Sequence, residues 1–330
     1  MGKVGAALVS HLLARPQYRA YFWPWDNDFM KDYWPDEVDR IVIHSPEGLG
    51  IDQSITFCSV LNAREAHWAP QTTVWLYYEL NTVPPDVVAA INSNDHVYVT
   101  SSFVQQVFAR HGVVVPMTVL GHGFDPRHYP YVPRTRGKEF VFLCVAEPTS
   151  RKNLPMLVRC FERAFQGVPD VRLVLKLGVR RGEDLLRHHI SRPDRVTLDT
   201  RLLPEERDVA ALYRQAHCFV LPTRAEGFGM PILEAMATGL PVIVTNYSGP
   251  LDFCTEANAY LLNSRRLVDS DPDCFPYIAG QWADPDPDHL IHLLRHVHDH
   301  YAEALAKGEA AHRTAHAHWT WERQLTRAFP

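Results

Sequence analysis

The stretch from Leu221 to Phe253, LPTRAEGFGMPILEAMATGLPVIVTNYSGPLDF, constrains the fold of this chain more than any other. The apolar run His217 to Leu221 predicts a buried strand that leads into it. Pro231 stands where a helix begins, because its fixed φ and missing amide proton suit a first helical residue. Gly239 is placed to end that helix in the left-handed conformation, and the run Pro241 to Thr245 predicts the next strand.

This strand, loop and helix predict an anion site at the carboxyl edge of a parallel sheet. The glycine-rich loop Arg224 to Gly229 brings exposed backbone amides and a helix N-terminus to that edge, which suits a phosphate. Glu226 and Glu234 frame the same place, and a carboxylate accepts hydrogen bonds from a pair of vicinal hydroxyls. The pattern therefore predicts a nucleotide diphosphate sugar. The alternative, an ordinary strand-loop-helix, predicts neither the glycine pair nor both glutamates.

The spacing of the two glutamates, which have seven residues between them in EGFGMPILEAMATGLPV, resembles the donor-site signature of retaining GT-B glycosyltransferases of family 4. The resemblance is dense from Phe140 to Ala259 and looser before and after. It implies an α/β fold of two facing Rossmann-like doubly wound domains with an interdomain cleft. It also implies retaining transfer of a sugar from a nucleotide donor to an acceptor hydroxyl, with no metal and no other cofactor.

The resemblance assigns roles in the donor half of the chain. Glu234 is expected to hold the ribose hydroxyls and Glu226 to orient the donor sugar. Lys152 matches a lysine that grips the diphosphate, whereas Glu147 stands where the family usually has an arginine, so Arg151 is expected to supply the missing charge. The alternative is a solvated cation pair, which would oppose the dipole of the helix that follows. The catalytic candidates are Glu226, Lys152 and Arg151, and the further donor-binding candidates are Gly227, Phe228, Gly229, Met230 and Ser248.

Strands alternate with helices in the first half, which predicts a parallel, doubly wound sheet. The resemblance implies that this half faces the acceptor, and its candidates are Glu79, Ser101, His122 and His44. Each is explained equally well as a polar residue that caps a helix or satisfies backbone groups. The predicted helices are 1–15, 84–91 and 101–110, and the predicted strands are 40–44, 54–61, 72–78, 96–100 and 117–120. In the resembled family a strand precedes the first helix, whereas here the predicted helix 1–15 has no strand before it. The N-terminal domain is therefore expected to lack its first strand.

The polar, proline-rich segment Arg127 to Lys138 is predicted to be the interdomain linker. The domains are placed at 1–133 (acceptor side), 134–314 (donor-binding) and 315–330, a C-terminal helix of the kind that commonly returns to the first domain in GT-B proteins. After the linker, the predicted strands are 140–145, 171–177 and 196–198, and the predicted helices begin near 154 and cover 204–215, 288–305 and 319–329.

The composition restricts the partners of the chain. Its 330 residues suggest two domains, and a net charge of −5 argues against nucleic acid as a partner. The scattered cysteines contain no C-x-x-C pair, so buried free thiols in a reducing cytoplasm are expected. The expected partners are a nucleotide sugar and a saccharide, lipid-linked or small-molecule acceptor. Peripheral contact with the inner face of the membrane stays open, although no polybasic amphipathic helix supports it.

Four histidines, His289, His292, His296 and His300, form one stripe on the predicted helix 288–305. The stripe is compatible with a metal site, but no carboxylate or cysteine completes one, so a solvated histidine face is the preferred interpretation.

Two alternative functions remain open from the sequence. One is a non-catalytic nucleotide-sugar binder, suggested by Glu147 and by the absent first strand. The other is a sugar-nucleotide epimerase on the same fold, which would need no acceptor.

Overall fold

The computed structural model describes residues 2–20, 50–65, 69–178, 183–203, 206–274 and 278–330. Two compact units are present. The first unit consists of Met1–Tyr78, Val83–Gly123 and Thr320–Pro330, and the second consists of Glu79–Thr82 and Phe124–Trp319. The predicted strand 40–44, which carries His44, lies outside the described residues.

The first unit is built on a parallel sheet with the strand order β1-β2-β3-β4. Helix α1 precedes it, a 3-10 helix over Val60–Glu65 follows β1, and the side chain of Trp75 in β2 is fully buried. The elements are α1 (Gly2–Leu13), β1 (Gln53–Ser59), β2 (Gln71–Tyr77), α2 (Pro85–Asn92), β3 (His96–Val99), α3 (Ser102–Arg110) and β4 (Met117–Val119). The structure confirms the predicted elements of this half within a few residues, wherever they fall on described residues. The strand predicted to reach Leu61 ends at Ser59, because the 3-10 helix begins at Val60.

The second unit is built on six parallel strands in the order β10-β9-β8-β5-β6-β7. Numbered within the unit, this is the 3-2-1-4-5-6 order of a dinucleotide-binding Rossmann sheet, read from the other edge. The strands are β5 (Phe140–Val145), β6 (Val171–Lys176), β7 (Val196–Asp199), β8 (Cys218–Leu221), β9 (Val242–Thr245) and β10 (Tyr260–Leu262). Strands β8 and β9 are buried along their whole length, as expected for parallel strands covered on both faces.

Helices cover this sheet, and an antiparallel ribbon follows β10. The helices are α4 (Leu154–Ala164), α5 (Glu183–Arg187), α6 (Glu206–Gln215), α7 (Met230–Ala237), α8 (Pro287–Asp299) and α9 (Tyr301–His318). The ribbon pairs β11 (Ser264–Asp269) with β12 (Gln281–Pro285), and the sequence analysis did not predict it.

The prediction of one helix over 288–305 is wrong. Helix α8 ends at Asp299, and His300 lies between α8 and α9 with φ −116° and ψ 47°, outside the helical region. Neither glycine nor proline marks this break. Apolar residues continue at helical spacing on both sides of it, so the periodicity alone predicted continuity.

The chain returns to the first unit at its C-terminus. Thr320 caps the final helix α10 (Trp321–Ala328), its hydroxyl accepting a hydrogen bond from the amide of Arg323 at 3.3 Å. Nε2 of the buried His11 in α1 lies 2.9 Å from the carbonyl oxygen of Phe329. Helix α10 therefore packs with α1 in the first unit.

The segment predicted as a linker, Arg127–Lys138, belongs to the second unit. Arg134 donates hydrogen bonds to the carbonyl oxygens of Tyr213, Ala216 and Thr238 at 3.0, 3.2 and 2.6 Å. This single side chain thus satisfies backbone acceptors at the ends of α6 and α7, which explains why a proline-rich, basic segment packs on the unit.

Five of the six cysteines are buried, and all six are free thiols. Among the residues that the structure describes, no helix combines the length and the apolar character that a membrane span requires.

Candidate functional site

The site lies where the strand order of the second unit reverses, between β5 and β8. Ligands of open α/β sheets bind beyond the carboxyl ends of the strands at such a switch point. The loops that follow β5 and β8 meet there. The carbonyl oxygen of Arg151 accepts hydrogen bonds from the amide of Arg224 at 2.8 Å and from the hydroxyl of Thr223 at 3.3 Å.

A short 3-10 helix, Ser150–Lys152, sets the two predicted cations on the first loop. Asn153 follows it in the left-handed conformation, with φ 57°, and α4 begins at Leu154. The sharp turn directs Lys152 inward, since its side chain is only 10% exposed. The alternative interpretation of Arg151 and Lys152 as a solvated pair is therefore wrong.

Glu226 on the second loop forms ion pairs with both cations. Nζ of Lys152 lies 2.6 Å from Oε1 of Glu226, and Nη1 of Arg151 lies 3.2 Å from Oε2. Nη2 of Arg151 also lies 3.4 Å from Oε1 of Glu79. Glu79 follows β2 in the chain and belongs to the second unit. These four side chains form one buried network, which we call the ion cluster.

Burial and charge act in opposite directions on the carboxylates of the ion cluster. Burial by itself raises the pKa of Glu226, but the charges of Lys152 and Arg151 outweigh it and hold this pKa at about 2. For Glu79, burial prevails over the attraction of Arg151, and its pKa is raised. Burial lowers the pKa of Arg151, but the two carboxylates outweigh it and the pKa is raised. Glu226 is therefore the firmly ionised carboxylate of the pair.

The backbone around Glu226 is fixed by a neighbouring loop. The hydroxyl of Ser248 accepts a hydrogen bond from the amide of Glu226 at 2.9 Å and donates one to the carbonyl oxygen of Tyr247 at 2.7 Å. Ser248 has φ 65°, a conformation that non-glycine residues rarely adopt. A Cβ on Gly249 would lie 2.5 Å from the carbonyl oxygen of Gly227, so only glycine allows the two loops to approach this closely.

Glu234 projects from α7, whose N-terminus points at the same sheet edge. It is buried, and its Oε2 accepts a hydrogen bond from the hydroxyl of Tyr213 at 2.8 Å. Gly229 precedes the helix in the left-handed region with φ 102°, and the first turn leaves amide protons without a partner inside the helix. Met230 begins the helix and is partly exposed.

The side chain of Phe228 has a structural role. Its ring packs against Phe253 and Trp319, with centroids 5.1 and 5.5 Å apart, and it is buried. The ring of Phe228 is therefore part of the core of the second unit.

The acceptor-side candidates among the described residues each make different contacts. Glu79 belongs to the second unit, where it contacts Arg151. Ser101 caps α3, its hydroxyl accepting a hydrogen bond from the amide of Val104 at 3.4 Å. His122 is buried in the first unit beside the rings of Phe57 and Trp75, and burial lowers its pKa to about 3.

Two partners in the site escaped the sequence analysis. Tyr213, which holds Glu234, lies on α6, and the prediction of that helix did not single out this residue. Glu79 was singled out as an acceptor residue, and nothing local to it in the sequence indicates its pairing with Arg151. Glu147 is exposed, and its carboxylate lies against Gly178, where a Cβ would not fit.

Within the described ranges, no group of three or more histidine, cysteine, aspartate or glutamate side chains is placed to hold a metal ion. In the histidine stripe, the ring of His296 stacks on that of His300 at 4.5 Å, and Nε2 of His296 lies 3.1 Å from Oε2 of Glu303. His292 and His300 are exposed, which agrees with a solvated face.

Residues 139–273 match the family described as "Glycosyl transferases group 1". The chain is 37% identical over 113 residues to O-antigen chain mannosyltransferase B of Escherichia coli, a match that covers 32% of this chain and 28% of that protein. The chain spans less than half of the length of the first curated relatives that it matches.

Two solved structures share the fold. Sucrose-phosphate synthase from Thermosynechococcus elongatus is similar with a TM-score of 0.65 and 18% identity, covering 83% of this chain and 72% of that one. TarM from S. aureus, in complex with UDP and α-GlcNAc-glycerol, is similar with a TM-score of 0.66 and 14% identity, covering 86% and 56%. At these identities the likeness concerns the fold, and the predicted fold of two Rossmann-like domains is confirmed.

Proposed function

We propose that this chain, whose residues 139–273 belong to the glycosyl transferases group 1 family on a GT-B fold, transfers a sugar from a nucleotide diphosphate sugar to a saccharide acceptor. The ion cluster carries this proposal. It sets the buried Lys152 and the largely buried Arg151 on Glu226, in the loop that leads into α7 at the switch point of a Rossmann sheet. A diphosphate leaving group gains negative charge in the transition state, and fixed cations and amides at that place stabilise it.

Lys152 and Arg151 are assigned to the diphosphate, together with the amides of Phe228, Gly229 and Met230. Both cations are already held by Glu226, so they need no reorganisation when the donor binds. Glu226 is assigned to a hydroxyl of the donor sugar, and its ionised form is the stronger acceptor. Glu234 is assigned to the ribose, because Tyr213 fixes one oxygen of its carboxylate.

We assign retention of configuration, with the leaving phosphate itself taking the acceptor proton, and charge neutralisation by side chains without a metal. The acceptor class is a growing polysaccharide or lipopolysaccharide, which the similarity to an O-antigen mannosyltransferase supports. A cytoplasmic location accords with buried free thiols. A lipid-linked acceptor would bring the protein to the membrane surface.

Nucleotide binding is tested first, by thermal shift with UDP, GDP, ADP and TDP. A ligand at a hundred times its dissociation constant stabilises the folded state by about 2.7 kcal/mol. One nucleotide is expected to raise the melting temperature of the wild type and not that of Glu234→Ala. The surface variant Glu309→Ala should respond like the wild type, since Glu309 is exposed on α9. Absence of any shift in the folded wild type would contradict the donor site.

Transfer is tested with the matching nucleotide sugars and a panel of oligosaccharide acceptors. Release of nucleoside diphosphate coupled to an elongated product supports the proposal, and the anomeric configuration of the product, read by NMR, tests retention. Binding without transfer or donor hydrolysis would indicate a nucleotide-sugar binder. Conversion of the donor without an acceptor would indicate an epimerase.

A further inference from the structure

Glu79 is firmly attached to the second unit by its neighbours in the chain. The amide of Gln281 donates a hydrogen bond to Oδ1 of Asn81 at 2.7 Å, and the hydroxyl of Thr82 donates one to the carbonyl oxygen of Ala279 at 2.6 Å. These bonds fasten Glu79–Thr82 to the start of β12, so the position of Glu79 is set independently of its contact with Arg151.

The guanidinium of Arg151 is held at three points. Nη2 faces Oε1 of Glu79 at 3.4 Å, while Nη1 lies 3.2 Å from Oε2 of Glu226 and donates to the carbonyl oxygen of Ala225 at 2.6 Å. A guanidinium is planar, so acceptors on two different nitrogens fix both its position and the plane in which its remaining donors point. Without Glu79, only Nη1 would be held among these contacts.

We propose that Glu79 is a positioning residue that fixes the guanidinium of Arg151 for the diphosphate of the donor. The inference rests on the proposed function. Position 147, where the resembled family has an arginine, carries a glutamate whose side chain turns to Gly178. Arg151 then supplies the guanidinium, and Glu79 is the second carboxylate that faces it.

The charges of the ion cluster explain why Glu79 serves orientation and not affinity. The positive charges of Arg151 and Lys152 are balanced by the negative charges of Glu79 and Glu226. The charged groups that act on Glu79 are Arg151, Glu226 and Lys152. A carboxylate near a diphosphate repels it, so Glu79 costs ground-state binding while it aligns a donor for the transition state. Its loss should therefore lower turnover without weakening the binding of the nucleoside diphosphate, a separation that general loosening would not produce.

The experiment compares Glu79→Ala, Glu79→Gln and the control Asn81→Ala in the full chain. Asn81 lies in the same segment and anchors it, but it does not contact Arg151. Calorimetry gives the dissociation constants of UDP, GDP, ADP and TDP. Release of the nucleoside diphosphate from the matching nucleotide sugars, with the oligosaccharide acceptors present, gives kcat and KM. Melting temperatures show that each variant is folded.

Glu79→Ala is expected to lower kcat about 10- to 100-fold, the scale of a misplaced transition-state contact, while the nucleoside diphosphate binds as tightly as to the wild type or more tightly. Glu79→Gln should recover part of the turnover, because the partial negative charge of its amide oxygen still faces Nη2. Asn81→Ala should lower kcat less than Glu79→Ala does, because Thr82 still fastens the segment to the carbonyl oxygen of Ala279.

Two results would overturn the inference alone: wild-type kcat in Glu79→Ala, or parallel losses of binding and turnover in Glu79→Ala and Asn81→Ala. A wild-type chain that binds none of UDP, GDP, ADP and TDP would overturn the proposed function and the inference together.

Discussion

Nζ of Lys152 lies 2.6 Å from Oε1 of Glu226, and the two side chains are 10% and 7% exposed. A buried ion pair is a weak source of stability compared with apolar residues of the same volume, although breaking it by removing one partner is costly. The pair therefore makes better sense as a site prepared for an anionic ligand than as a device for stability.

Replacing Lys152 with methionine should lower the free energy of unfolding by about 3 kcal/mol, because Glu226 would keep only Arg151 as a cationic partner. Urea unfolding at neutral pH measures this. Lys138→Met, at an exposed position, is the control and should change little. In the double variant Lys152→Met/Glu226→Gln the loss should be smaller than the sum of the single losses, and strict additivity would show that the pair is not coupled.

Protonation of Glu226 should account for part of the stability that the protein loses in acid. Its pKa is about 2 in the fold and 4.5 ordinarily, so between these values the unfolded chain binds a proton that the folded chain does not. The contribution is complete above pH 4.5, amounts to about 3 kcal/mol, and is lost as the pH falls towards 2. Urea unfolding at several pH values should show a steeper acid loss in the wild type than in Glu226→Gln. Equal slopes would contradict the depressed pKa.

Tyr213→Phe should cost about 1.5–3 kcal/mol, the range for a hydrogen bond to a charged group, since it leaves a buried oxygen of Glu234 without this donor. Tyr301→Phe is the matched control, because the hydroxyl of Tyr301 is buried and finds no hydrogen-bond partner among the described residues. Thermal unfolding should separate the two variants. If both melt alike, the bond between Tyr213 and Glu234 contributes nothing measurable.

The two glutamates of the seven-residue spacing should fail in different ways. Glu234→Ala is expected to weaken nucleotide binding, and Glu226→Ala is expected mainly to lower turnover, because only Glu226 touches the cations assigned to the leaving group. Dissociation constants and kcat, measured on the nucleotide selected by thermal shift, test this division. The opposite pattern would show that the roles are exchanged.

Local sequence was sufficient to predict most elements of both sheets. The strand, loop and helix around Glu226 were predicted because proline and glycine mark the start and end of α7 and the flanking strands are continuous apolar runs. Local sequence was insufficient at His300, where a helix breaks without glycine or proline, and at the ribbon of β11 and β12. The first ribbon strand carries exposed residues at most positions and gives no apolar alternation to read.

The sequence by itself determined that a glycine-rich loop and a helix N-terminus stand between two buried strands, with Glu226 and Glu234 at fixed spacing, because these features depend on near neighbours in the chain. Only the tertiary structure decided which side chains complete the site. Arg151 meets Glu226 because β5 and β8 are adjacent in the sheet, and Glu79 meets Arg151 because its segment is bonded to the start of β12. Contacts between distant segments follow from strand order and loop docking, and residue periodicity carries no record of either.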